Sequence, residues 1–168
     1  MPKGLKSTSS IIVIGAEVIE SAPNTFTSRR VDLQLNPLDN EVFVVYGLDL
    51  DVLEPNLVPA TDTNIKASIS TTLRTNVGNL AASNVLAINR IEIQSAAGET
   101  TRGQFSSDSG PATQLEYLGI ISTNDFFLNI EGANNTGARS ATARLYGVRA
   151  KADASIYAAL VQSELLSA

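Results

Sequence analysis

The sequence contains no histidine, no cysteine and no tryptophan. Histidine is the commonest metal ligand and general base, and cysteine supplies thiol nucleophiles, disulfides and the ligands of iron–sulfur clusters. Their absence excludes Ser-His-Asp and Cys-His catalysis, the usual zinc sites and haem held by histidine. We therefore expect no enzyme and no cofactor, and the function has to be sought in architecture and surface.

Charge is also scarce. Charged residues make up 17% of the chain, and only four of the 12 basic residues are lysine, whereas soluble domains average about 25%. Serine, threonine and asparagine together supply 44 of the 168 residues. A surface of hydroxyls and amides costs little to desolvate, which favours packing against neighbouring molecules. The alternative interpretation is a secreted or adhesive monomer with the same excess of serine, threonine and asparagine.

Long apolar runs are missing, and no stretch approaches the roughly 18 residues of a membrane span. We therefore predict no transmembrane segment. The run Ile11 to Ile14 follows a basic start, but Glu17 interrupts the segment too early for a signal peptide. The length suits one folded domain. We predict a flexible N-terminal arm over 1–10, a β-sandwich domain over 11–152 and a C-terminal helix or tail over 153–168.

Runs of β-branched and alternating residues recur along the chain with turn residues between them. This pattern indicates an all-β, antiparallel sandwich or barrel. The predicted strands cover residues 11–20, 26–35, 42–52, 65–73, 85–93, 115–121, 125–131 and 139–152. Residues 95–113 are the longest predicted loop. The eight strands permit a jelly roll, an immunoglobulin-like sandwich or a barrel.

The C-terminal segment is predicted to form a helix. Asp153 is a candidate N-cap for residues 154–166, whose alanine, leucine, glutamine and glutamate content favours helix. The alternative is a ninth strand through residues 156–161. In either form this apolar segment must dock somewhere.

One acidic cluster is a weak candidate for a cation site. Asp49, Asp51 and Glu54 lie close together in the sequence, and carboxylates are ligands for calcium. Their spacing does not match a calcium-binding loop. A solvated strand edge, or ion pairs with arginine from a neighbouring strand, is the favoured interpretation.

The only concentration of basic residues lies near the end of the predicted sandwich. It consists of Arg139, Arg144, Arg149 and Lys151. These side chains would either contact phosphate of a nucleic acid or form salt bridges with carboxylates. The chain as a whole has a formal charge of −5, and its arm carries only Lys3 and Lys6. Salt bridges are therefore favoured, and direct contact with nucleic acid stays open.

Apolar residues at the two ends of the chain are the candidate interface. At the N-terminal end they are Leu5, Ile11 and Ile12, and at the C-terminal end they are Ile156, Tyr157, Leu160, Val161, Leu165 and Leu166. The expected partners are copies of the same chain, because its low-charge surface costs little free energy to bury against a neighbour.

Together these features resemble the single jelly-roll capsid proteins of small icosahedral viruses, the tailless marine types among them. The resemblance lies in the arm 1–10, the strand 41–51, the segment 119–128 and the tail 144–153. It implies an eight-stranded jelly-roll sandwich whose copies, with other virion proteins, form the shell of a virion from soluble subunits in the host cytoplasm. The alternatives are a carbohydrate- or surface-binding module of a secreted protein, and a phage decoration or tail-tube subunit.

Overall fold

The computed structural model describes residues 1–96, 98–107 and 116–166. These residues form ten β-strands, a 3₁₀ turn at Pro37–Asp39 and one α-helix. The strands are β1 (Leu5–Ser7), β2 (Ile12–Ile19), β3 (Thr27–Asp32), β4 (Glu41–Val52), β5 (Thr63–Ser70), β6 (Val85–Ala96), β7 (Glu99–Ser106), β8 (Gly119–Ile121), β9 (Asp125–Ala133) and β10 (Ser140–Ala152), and the helix is α1 (Ala154–Leu166). Within the described ranges, no helix is long and apolar enough to cross a membrane.

The strands form two antiparallel sheets. In sheet A the order is β2-β10-β4-β8, with β1 continuing beside β10, and in sheet B it is β3-β9-β5-β6-β7. The neighbouring pairs β2/β10, β3/β9, β4/β8 and β5/β6 are nested in the sequence, as if one long hairpin had been rolled up. This nesting defines a jelly roll. It confirms the predicted antiparallel sandwich, to which β1 and β7 add two strands that were not predicted, and it selects the jelly roll among the three topologies.

The core lies between the two sheets. On strands such as β2 and β10, alternate residues point into it, as the period of two predicts. On β10 the inward residues are Ala141, Ala143 and Leu145, while Thr142 and Arg144 are exposed. Phe43 and Phe126 are fully buried in this core. Their burial places both aromatic segments in the core.

One stretch of β4 is buried on both faces. Phe43 and Val45 face the core, while Val42 and Val44 face outward and are covered by α1. The register of β10 against β4 shifts between Tyr146 and Gly147, where a β-bulge at Tyr46 changes the direction of the side chains. The burial of this stretch on both faces therefore has a specific cause, the helix packed on the outside of sheet A.

The helix prediction is confirmed, and the ninth-strand alternative is wrong. The carbonyl of Asp153 accepts the first intrahelical hydrogen bond from the Tyr157 N–H at 2.8 Å, as an N-cap residue does. Ile156, Tyr157 and Leu160 pack on the apolar outer surface of sheet A.

Two predicted irregular segments contain strands. Residues 5–7 of the predicted arm form β1 and pair with β10, so this part of the arm is held by the sandwich. The first half of the predicted loop 95–113 contains β7, which pairs with β6. The second half of that loop, residue 115 of a predicted strand and residues 167–168 of the predicted tail lie outside the described residues.

Candidate assembly surface

The acidic cluster does not form a cation site. Within residues 1–96, 98–107 and 116–166, no three acidic side chains come together to hold a metal ion. Asp49 accepts a hydrogen bond from the Tyr146 hydroxyl at 2.9 Å, and Glu54 pairs with Arg102 at 2.8 Å. The structure therefore contradicts the prediction of a weak cation site at Asp49, Asp51 and Glu54. β4 ends before Glu54, so the chain leaves the sheet face that the two aspartates share.

The four basic residues of the C-terminal region do not form one patch. They lie along β10 or beside it, and three of them contact different parts of the same chain. Arg139 donates to the Glu54 carbonyl at 3.1 Å, and Arg149 donates to the Leu33 carbonyl at 3.1 Å. Lys151 pairs with Asp39 at 3.3 Å.

Arg144 is the fourth basic residue, and it lies exposed on the outer face of sheet A. Its pKa is raised, mainly by the hydrogen bond with the Tyr146 side chain and to a smaller extent by the charge of Asp49. Its guanidinium therefore stays charged. Only Lys151 makes the predicted kind of salt bridge within the subunit, because Arg139 and Arg149 donate to backbone carbonyls instead.

Helix α1 is held against the sandwich by a buried carboxylate. Glu164 reaches the turn between β8 and β9, where its Oε2 accepts hydrogen bonds from the Ser122 N–H at 3.0 Å, the Ser122 hydroxyl at 2.5 Å and the Thr123 N–H at 2.9 Å. Glu164 is only 9% exposed. The single charged side chain of α1 is thus used to dock the helix.

The outer side of α1 consequently carries no charge. Its apolar residues recur at positions i, i+4, i+7 and i+11, and we call them the helix stripe: Ala154, Ala158, Val161 and Leu165. Val161 is half-buried and the other three are exposed. Leu166 adjoins the stripe and is 80% exposed. Ile156 and Leu160 face inward, so the helix has an apolar docked side and, beside it, the exposed helix stripe.

A second exposed apolar row lies at the edge of sheet A. We call it the β2 stripe, and it consists of Ile11, Val13 and Ile19, which are 67%, 53% and 58% exposed. Their neighbours Ile12, Ile14 and Ala16 pack against the core. Ile11 directly precedes β2, and on the outward face of the strand Gly15 and the exposed Glu17 separate Val13 from Ile19.

The predicted interface residues divide into two groups. Leu5, Ile12, Ile156, Tyr157 and Leu160 pack within the subunit, so they stabilise the fold. Ile11, Leu165 and Leu166 are exposed, and Val161 lies in the helix stripe. Burial within the subunit narrows the candidate surface to this second group, and the structure adds Val13 and Ile19.

Two buried glutamates were not anticipated from the sequence. Besides Glu164, Glu20 is 4% exposed and accepts hydrogen bonds from the Gly132 N–H at 2.7 Å and the Arg139 N–H at 2.8 Å. It fixes the connection between β9 and β10. In the sequence each glutamate looks like an ordinary surface residue. The one indication of the burial of Glu164 was that α1 contains no basic residue with which it could pair.

Comparisons with known proteins give no family. Neither a scan against protein-family models nor a search of curated proteins finds a match. A solved structure from Desmodium yellow mottle tymovirus is 8% identical, with 91% of this chain and 93% of that chain covered and a TM-score of 0.31. The tailspike protein gp49 from Acinetobacter baumannii bacteriophage Fri1, a capsular polysaccharide depolymerase, is 10% identical, with 71% of this chain covered and a TM-score of 0.17.

The chain covers only 19% of the length of that tailspike. Superpositions as loose as these carry no argument about function. The assignment of the jelly roll rests on the strand pairing alone.

Proposed function

We propose that this chain is a structural, non-catalytic subunit that assembles with copies of itself into a closed shell, the coat of a virus particle. The observation that carries the proposal is helix α1, which packs one apolar side on the sandwich and exposes a second apolar row, the helix stripe. Exposed contiguous apolar surface marks an interaction site. The exposed helix stripe is therefore expected to contact another protein surface. Copies of the same chain are always present to supply that surface.

The β2 stripe supports the same proposal. Ile11 and Val13 are neighbours on the exposed face of this sheet edge, and adjacent exposed apolar residues mark interaction sites. The β2 stripe and the helix stripe lie on different parts of the subunit, since one follows the sheet edge and the other follows α1. Two separate contact surfaces on each copy are what an extended assembly needs, because one two-fold contact alone gives only a dimer.

The proposal places the protein in the virion, alongside any other virion proteins. It assigns no nucleic-acid contact to Arg139, Arg149 or Lys151, since each is engaged within its own subunit. A phage decoration or tail-tube subunit would also assemble through such surfaces. The symmetry of the particles separates these possibilities, because a tube is open and a shell is closed.

A carbohydrate-binding module remains the rival from another class. The observation in its favour is a shallow polar depression of about 260 Å³ on sheet A, lined by Asp49, Asp51, Thr142, Ala143 and Arg144. This rival expects a monomer that binds sugar. It gives no role to the helix stripe.

The experiment that tests the proposal is a charge substitution in the helix stripe. Leu165 is 65% exposed in the subunit, so Leu165→Glu should leave the fold intact. In an assembled contact it would force a carboxylate into an apolar interface and weaken association about tenfold or more. Leu38→Glu is the matched control, because Leu38 is 93% exposed on the 3₁₀ turn.

Size-exclusion chromatography with light scattering is the measurement, with circular dichroism to check folding. We expect large particles for the wild type and for Leu38→Glu, and folded 17.7 kDa subunits for Leu165→Glu. A wild type that elutes as 17.7 kDa at every concentration contradicts the proposal. Deleting residues 154–168 is a poorer test, because it uncovers Val42, Val44 and Val148.

A further inference from the structure

The helix stripe has the spacing of a coiled-coil seam. Ala154, Ala158, Val161 and Leu165 are separated by four, three and four residues, which is the alternation of a and d positions in heptads. They lie on one side of α1, while Tyr157, Leu160 and Glu164 line the side that docks on the sandwich. The same helix thus carries two seams, and only the inner seam is covered within the subunit.

The order of residue sizes along the seam is uneven. The two small alanines occupy the first half of α1, and valine and leucine occupy the second half. If two copies of the helix lay parallel, alanine would face alanine at one end and leucine would face leucine at the other. The helices would then be too close at one end and too far apart at the other for even packing.

An antiparallel arrangement removes this mismatch. It places Ala154 of one copy beside Leu165 of the other, and Ala158 beside Val161. Each layer then combines one small and one large side chain, so the separation between the helices stays constant. A two-fold axis between residues 159 and 160 generates this register, and such isologous contacts must be complementary to themselves.

Charge also favours a second copy as the occupant. The helix stripe has no charged side chain, so it offers nothing that would attract an acidic or basic partner. The chain as a whole carries a formal charge of −5, and two copies repel each other except where they meet through uncharged surfaces. The outer side of α1 is such a surface.

We propose that two copies of this chain pair through their α1 helices, antiparallel, with Ala154 beside Leu165 and Ala158 beside Val161 across a two-fold axis. This inference rests on the proposed self-assembly and specifies one of its contacts. A helix of 13 residues is about 20 Å long, so this contact buries less than the 1,200 Å² or so of a stable dimer. It acts together with other contacts of the assembly.

Disulfide cross-linking tests the register directly, because the chain has no native cysteine. Two variants are prepared, Ala154→Cys and Leu165→Cys, and each is oxidised alone and as an equal mixture under assembling conditions. In the antiparallel register, equivalent positions are about 16 Å apart along the helix, too far for a disulfide. We expect a covalent dimer in the mixture only, with at least a tenfold excess over either variant alone.

The outcomes separate the two proposals. Cross-linking of each variant with itself, but not in the mixed pair, indicates parallel helices and overturns the inference. Assembled particles without any cross-link overturn it while the proposed self-assembly stands. A chain that neither assembles nor cross-links overturns both.

Charge complementation provides a second test that does not depend on oxidation. Ala154→Lys and Leu165→Glu are each expected to weaken assembly about tenfold. The double variant is expected to recover it, because each lysine then faces a glutamate of the other copy. Assembly of the double variant that is weaker than that of both single variants contradicts the antiparallel register.

Discussion

Gly147 is the position at which one added methyl group should most disturb the sandwich. It lies on β10 next to the β-bulge of β4. A Cβ atom at this position would come within 2.5 Å of the Phe43 ring and would also meet the Val44 carbonyl oxygen. Phe43 is completely buried, so its ring has no free space to enter.

The expected loss of stability follows from this overlap. Overpacking a core costs typically 1–3 kcal/mol, and a clash that involves backbone should reach the upper part of that range. We expect Gly147→Ala to lower the free energy of unfolding by about 3 kcal/mol, which for a domain of this size lowers the melting temperature by roughly 6–12 °C. Gly15→Ala is the matched control on the adjacent strand, since nothing lies within 4 Å of its added Cβ. It should stabilise the protein by about 0.5 kcal/mol, because glycine is unfavourable inside strands.

Urea unfolding followed by circular dichroism measures both variants, at a protein concentration where light scattering reports single subunits. The midpoint should fall for Gly147→Ala and rise slightly for Gly15→Ala, with the slope unchanged. If Gly147→Ala unfolds within about 0.5 kcal/mol of the wild type, the packing described here between β4, β10 and Phe43 is refuted.

Three further outcomes are expected. Glu20→Ala should lower the free energy of unfolding by about 2–4 kcal/mol in urea titrations, because two buried N–H groups lose a charged acceptor; an unchanged midpoint contradicts this role. Glu164→Ala should speed hydrogen exchange at the Ser122 and Thr123 amides at least tenfold, since both donate to that carboxylate; equal exchange rates contradict the docking of α1. Lys151→Ala should change stability by less than about 1 kcal/mol, because its ion pair is more than half exposed; a larger loss in the same titration contradicts this.

Much of the fold follows from the alternation of apolar and polar residues. The pattern in β10, where Ala141, Ala143 and Leu145 alternate with Thr142 and Arg144, is enough to place a half-buried strand. The same reasoning locates the helix and eight of the ten strands in the described part of the chain. β7 could not be found in this way, because all eight of its residues are exposed and it is held by its backbone pairing with β6.

The candidate assembly surface could be predicted only in part from the sequence. Apolar content identifies the C-terminal helix as an interface candidate, but it does not show which side docks inward. The buried Glu164 decides this, because its hydrogen bonds to the turn at Ser122 turn Leu165 toward solvent. The β2 stripe was missed in part, since Val13 and Ile19 look like core residues until the register with β10 is known.

Negative-stain electron microscopy of the purified protein tests the central claim most directly. If copies of this jelly roll associate through the helix stripe and the β2 stripe, concentrated protein forms closed particles of uniform diameter. Fields that show only dispersed 17.7 kDa subunits, or only open tubes, contradict the account.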